Sequence, residues 1–279
     1  MKERAYAKIN LCLDVVGERE DGYHELKMIM APVDFYDVLD MTPAEETTFE
    51  VNCSFLPVDD RNTVVKAIRV MREKYGFTEE FACRLQKHSP TQAGLAGGSA
   101  DAAAAIRLMC RMLGITMSRE ELIEVGKKVG ADVPFCIFNQ CAYVGGIGDQ
   151  LEPFACNTDF EILLVKPRRG VSTKTAFAEM DRYEPVHPDC DAMRTALIND
   201  DYDGVVSSLG HSLEAVSLNL VKEIREIRED LLELGFDGAL MSGSGSTVFG
   251  ITRSPRLLKK TADLMKYKGY FVRITKILK

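Results

Sequence analysis

The stretch "QAGLAGGSADAAAA" at residues 92–105 constrains this chain more than any other. Three glycines and a run of alanines leave the backbone nearly bare, so the segment either turns tightly around something or lets another element approach closely. Its neighbours narrow the choice. "CRLQKHSP" before it alternates as a strand does and closes at Pro90, while "SADAAAAIRLMCRMLG" after it carries helical spacing up to Gly114. A strand, a glycine turn and a helix start, in that order, present backbone N–H groups and the positive end of a helix dipole to an anion. The plain alternative is a turn followed by a closely packed alanine helix, and glycines alone do not separate the two. Ser99 is the expected N-cap, with Asp101 in the first turn. The stretch lacks the lysine of the G-x-x-x-x-G-K-[ST] loop, and its spacing is not that of the dinucleotide fingerprint.

Around it, strand and helix signals alternate irregularly and without an internal repeat. "YAKINLCLDVV" (6–16), "LKMIMAPVDFYDVLDM" (26–41) and "TTFEVNCSFL" (47–56) read as strands. "NTVVKAIRVMREKYG" (62–76) reads as a helix stopped by Gly76, and "SREELIEVGKKVG" (118–130) opens on a capping box, Ser118 with Glu121. "CAYVGGIGDQLEPF" (141–154) is a strand and glycine turn, and "FEILLVKP" (160–167) starts a second half. That half continues with helical spacing over 213–235, interrupted or continuous, then "GALMSGSGSTVFGI" (238–251), a helix at 254–267 and a strand at 270–276. The pattern predicts α+β layers in two domains, 1–154 and 155–279.

Composition excludes several classes. With 279 residues, 46% hydrophobic and 28% charged, the chain can bury a sizeable core. Its net charge of -7, with both signs interspersed, argues against a nucleic-acid surface. The basic run "KPRRG" (166–170) reads as a solvated turn. Eight cysteines form no C-x-x-C pair and mostly lie in apolar segments, so reduced, buried thiols are expected. The N-terminus reaches Asp14 too early for a signal peptide, and no apolar run is long enough to cross a bilayer. A cytoplasmic location with no membrane partner is expected.

Two charged residues stand out chemically. "GADVP" places Asp132 between a glycine and a proline that restrict the backbone, and a turn aspartate is the plain interpretation. Lys8 lies in the apolar first strand at "AKIN", where it either snorkels to solvent or meets a carboxylate. In "DGYHE" (21–25), Tyr23 and His24 are either turn residues or a flat, polar-edged platform.

Taken together, "AKINLCLDVVGEREDGYHEL" (7–26), "QAGLAGGSADAAAAI" (92–106), "GADVPF" (130–135) and "LMSGSGSTVFGI" (240–251) resemble the GHMP small-molecule kinases. Within them the chain is similar to the branch acting on a cytidine-diphosphate-linked methylerythritol in the non-mevalonate isoprenoid route. The resemblance spans nearly the whole length with all four blocks in order. It implies an N-terminal domain like domain 2 of ribosomal protein S5, a ferredoxin-like C-terminal domain, and an active site in the cleft they form. It implies that ATP phosphates lie along Pro90, Thr91, Gln92, Ala93, Gly94, Leu95, Ala96, Gly97, Gly98, Ser99 and Ala100, with Asn62, Thr63 and Lys87 near the nucleotide. It gives Asp132 the task of deprotonating the substrate hydroxyl and Lys8 that of countering charge. It assigns the cytosine to Tyr23 and His24, with Asn10 in the same pocket, Phe177 as an opposite stacking face, and Gly243, Ser244 and Gly245 beside the transferring phosphate. Magnesium accompanies ATP, Ser99 being the loop hydroxyl nearest it, and no residue cluster has the makings of a dedicated metal site. The implied protein is a monomer or weak homodimer.

The chain departs from the family pattern at several points. "KHSP" replaces K-x-I-P, Ala96 and Ala100 replace a glycine and a serine, Thr63 replaces a leucine, and His211 stands where asparagine is frequent. The change at Ala96 predicts a slightly altered loop, and that at Ala100 removes one hydroxyl donor. A GHMP kinase for mevalonate, homoserine or a sugar, a diphosphomevalonate-decarboxylase-like enzyme, and a nucleotide-binding module without activity remain as alternatives at this point.

Overall fold

The structure, a computed structural model, describes residues 1–20, 22, 24–180, 182, 183 and 186–279. Two long strands open it, β1 (Lys2–Glu18) and β2 (His24–Ala44), followed by the short β3 (Thr48–Val51). Asn62 caps α1 (Thr63–Tyr75), and Gly76 ends it in the left-handed conformation at φ 66. Next come β4 (Glu80–Gln86) and α2 (Gly97–Leu113), the latter closed by Gly114 at φ 65. The capping box at Ser118 forms as the sequence predicts and starts α3 (Arg119–Val129). The short α4 (Val133–Phe138) and the hairpin β5 (Ala142–Gly145) and β6 (Gln150–Pro153) follow. The remainder comprises β7 (Glu161–Lys166), α5 (Thr173–Met180), α6 (Cys190–Ile198), α7 (Tyr202–Ser207), β8 (Gly210–His211), α8 (Glu214–Leu220) and α9 (Lys222–Glu233). It closes with β9 (Gly238–Met241), β10 (Val248–Thr252), α10 (Pro255–Tyr267) and β11 (Phe271–Thr275).

These elements gather into two compact units. One comprises Met1–Ala7, Phe35–Pro90 and Ala96–Asn139; the other comprises Lys8–Asp34, Thr91–Leu95 and Gln140–Lys279. The glycine-rich stretch therefore contributes residues to both.

In the first unit the second half of β2 pairs antiparallel with β4, from Val38 opposite Gln86 to Ala44 opposite Glu80, and β3 adds parallel to β4. Strand alternation turns Phe35, Leu39 and Met41 of β2 and Phe81, Cys83 and Leu85 of β4 inward, and all are buried. Burying such a large apolar side chain contributes roughly 1.5–3 kcal/mol. α1 packs along α2, whose alanines Ala102, Ala103, Ala104 and Ala105 are wholly buried and permit the close approach.

In the second unit a four-stranded antiparallel sheet runs in the order β11-β7-β10-β9. The inner strand β7 is a continuous buried run, Ile162 to Lys166, as a covered strand requires. α9 covers β9 and β10 with Ile224, Ile227 and Leu231, three and four residues apart on one face. β1 here pairs in parallel with β8, Cys12 opposite Gly210 and Leu13 opposite His211. Met28 to Met30 of β2 pair with β5.

Some sequence expectations need correction. The strand expected over 47–56 stops at Val51, whereas the helical stretch 213–235 takes the interrupted of its two expected forms, parted at Val221. The thiols are not all reduced, because Cys12 and Cys190 form a disulfide. The two lie 178 residues apart, Cys12 on β1 and Cys190 opening α6, a pairing that local spacing does not report. Among the described residues no helix is long and apolar enough to cross a membrane.

Candidate functional site

In the first unit α2 starts without a side-chain cap. Its N-cap is Ala96, and among the described residues no side chain caps the helix and no acidic residue occupies its first turn. The first N–H groups of a 17-residue helix are thus left to whatever approaches them. This overturns Ser99 as N-cap: Ser99 is the third helical residue, and Asp101 lies beyond the first turn, buried. Ala96 holds the left-handed conformation at φ 54, so the alanine adopts the backbone expected of a glycine at some strain. Gly98 is exposed, and its carbonyl accepts a 2.7 Å hydrogen bond from the Thr63 hydroxyl. The Asn62 amide is occupied locally, accepting from the Val64 N–H at 2.9 Å and donating to the Pro57 carbonyl at 2.8 Å.

Lys87 does not project outward. Its ammonium is buried between Asp37, at 2.7 Å, and Asp101. Burial pulls that ammonium's pKa down, but the charges of Asp101 and Asp37 outweigh it and the net direction is upward. Sequence reasoning passed over Asp37, yet a signal was present. Asp37 and Lys87 occupy the same inward-facing parity as Phe35, Leu39, Leu85 and Cys83, where a charge demands a partner.

Asp132 precedes α4 as its N-cap, with Pro134 at the second helical position. Among the described residues its side chain makes no capping hydrogen bond, and it is half-buried.

The second unit holds the remaining predicted residues. Lys8 does not snorkel: it is 4% exposed, and its ammonium donates to the Asn10 side-chain oxygen at 2.5 Å. The Lys8 N–H donates to the Leu95 carbonyl at 3.1 Å, which fixes β1 to Thr91–Leu95. The same segment is held against the second glycine motif. Ser242 Oγ donates to the Gly94 carbonyl at 3.0 Å, and the Thr247 N–H donates to the Ala93 carbonyl at 3.2 Å. Gln92 is exposed at φ 50 and abuts Gly170, where a Cβ would come within 2.5 Å of the Gln92 Cβ. Gly243, Ser244 and Gly245 are buried, and the Ser244 hydroxyl lies 2.9 Å from that of Thr173 at the start of α5.

Phe177 on that helix meets His24 with ring centroids 5.1 Å apart and tilted by 42°. Tyr23 lies outside the described residues. A cavity of about 320 Å³ opens beside His24, walled by Val15, Val16, Met180 and Tyr183.

His211 is buried. Its Nδ1 accepts from the Leu213 N–H at 3.1 Å, which leaves the proton on Nε2. Burial first, and the Lys8 charge second, push its pKa down to about 3, so the ring is neutral.

The first unit thus holds an uncapped helix start, the buried Lys87 ammonium and the half-buried Asp132 carboxylate; the second holds the buried Lys8 ammonium and the His24–Phe177 pair. Residues 62–140 match the family model for the GHMP kinases N terminal domain, and residues 193–269 that for GHMP kinases C terminal. A 4-diphosphocytidyl-2-C-methyl-D-erythritol kinase of Clostridium beijerinckii is 40% identical over 98% of this chain and 99% of its own. One from Enterococcus faecalis is 41% identical over 96% of this chain and 93% of its own. A solved 4-(cytidine 5'-diphospho)-2C-methyl-D-erythritol kinase superposes with a TM-score of 0.83 at 28% identity, covering both chains fully.

Proposed function

The chain belongs to the GHMP kinases and has their two-domain fold, and from that premise we propose that it phosphorylates 4-diphosphocytidyl-2-C-methyl-D-erythritol. It transfers the γ-phosphoryl group of ATP to the 2-hydroxyl and releases ADP. The observation that carries this is identity of about 40% over nearly the whole length to kinases of that name.

Transfer to an alcohol needs an aimed oxygen and compensated charge, with little covalent work for the protein. Asp132 accepts the proton of the hydroxyl as its oxygen attacks phosphorus, and its half-buried place directly before α4 supports that role. Lys8 counters the charge that builds on the alkoxide and the transferring group, and its burial beside Asn10 supports a fixed cation. The phosphates take the run Pro90 to Ala100, whose uncapped helix start fits a polyanion. Asn62, Thr63 and Lys87 border the nucleotide side. Tyr23, His24 and Phe177 hold the cytosine, Asn10 lines the same pocket, and Gly243, Ser244 and Gly245 shape the space near the phosphoryl group. The contact between His24 and Phe177 favours this placement.

The fit to magnesium is a hard oxygen donor at the third position of α2, the Ser99 hydroxyl. Bound there with the phosphates, magnesium would neutralise part of their charge. The enzyme works in the cytoplasm as a monomer or weak homodimer on a small molecule, and its net charge of -7 disfavours nucleic acid as a partner.

The test is ADP release by the purified protein across a panel of alcohols. Release should require the cytidylated methylerythritol; release with mevalonate or homoserine and none with the cytidylated alcohol would overturn the assignment.

A further inference from the structure

We propose that Asp37 is a positioning residue for the phosphate loop, a buried carboxylate that holds the chain leading into it. This rests on the assignment of ATP to the loop.

Asp37 is fully buried and gathers four donors on two oxygens. Oδ1 accepts from the backbone N–H groups of His88 and Ser89, the latter at 2.7 Å; Oδ2 accepts from the Ser89 hydroxyl and the Lys87 ammonium. One carboxylate therefore fixes three successive residues directly before Pro90. Charge-assisted bonds of this kind are short, directional and strong in a buried setting. The link to the loop itself runs through Gly97. A Cβ on Gly97 would stand 2.5 Å from Ser89 Oγ and 2.9 Å from Lys87 Nζ. No side chain fits between the first residue of α2 and the buried cluster, so displacement of either moves the other.

The experiment is calorimetric binding of a non-hydrolysable ATP analogue with magnesium and, separately, of the cytidylated methylerythritol. Asp37→Asn should weaken analogue binding by roughly fivefold or more, with affinity for the cytidylated alcohol nearly unchanged. Ser89→Ala should act in the same direction but less. If Asp37→Asn does not fold, Ser89→Ala decides the matter. Parent-like analogue binding by a folded Asp37→Asn or by Ser89→Ala, or an equal loss for both ligands, would overturn the proposal. A parent that fails to bind the analogue at all would instead remove the kinase assignment.

Discussion

Gly94 passes so close to Ser242 that a Cβ on it would come within 1.9 Å of the Ser242 carbonyl oxygen. Gly94 also sits at φ 71, a conformation that side chains rarely adopt. Two costs therefore fall on one substitution, left-handed strain and steric overlap with backbone that cannot rotate away. Gly94→Ala should lose about 2–5 kcal/mol of stability and most ATP binding. Urea unfolding that shows a loss below about 1 kcal/mol would mean that the two segments separate readily.

Ala96 presents the reverse case. It holds φ 54 at the start of α2, so Ala96→Gly removes left-handed strain at the cost of a looser unfolded chain. A net gain of roughly 1 kcal/mol is expected, read as a higher urea midpoint at constant slope. A lower midpoint would show that alanine is not strained there.

Asp132 and Lys8 should act as a unit in catalysis. Asp132→Asn and Lys8→Met should each lower kcat by roughly 10²–10⁴ with ATP affinity largely kept. The double variant should fall short of the product of the two defects, because groups that act together are not additive. Steady-state kinetics on proteins checked by circular dichroism measure this. An Asp132→Asn variant close to the parent rate would remove it as the base.

His211 makes stability depend on acid. Its unfolded pKa lies near 6.5 and its folded value near 3, so between these the unfolded chain binds more protons. The contribution is present above about 6.5 and is lost as pH falls through the window, at up to about 1.4 kcal/mol per pH unit. Asp101 acts oppositely: its folded acid, raised to about 7, stabilises at low pH and loses that contribution as pH rises from about 4. His211→Asn should therefore flatten the fall of the unfolding midpoint from pH 6.5 downward. An unchanged slope would mean that the imidazole is not held neutral.

Much of this was legible from residue order alone, where local chemistry decides local structure. The capping box at Ser118 and the left-handed stops at Gly76 and Gly114 stand where propensity puts them. α5, α6 and α7 were not foreseen, since they run only six to nine residues and their hold comes from tertiary packing. Ala96 hid the true start of α2, because alanine gives no sign of a left-handed backbone. Asp37 and Lys87 were visible as charges at core-facing strand positions, but only the fold sets them opposite one another. The Cys12–Cys190 pairing spans most of the chain and leaves no local trace.

The measurement that bears most directly on the proposed activity is phosphorus NMR of the product formed from ATP, magnesium and 4-diphosphocytidyl-2-C-methyl-D-erythritol. The 2-carbon carries a methyl group and no hydrogen, so a phosphate on its oxygen has no three-bond coupling to a proton. Phosphorylation at the 2-hydroxyl predicts a new phosphomonoester resonance without that splitting, alongside ADP and an intact diphosphate bridge. A doublet or triplet from attack at the neighbouring hydroxyls, or ADP formed with no new phosphomonoester on the cytidylated alcohol, would contradict it.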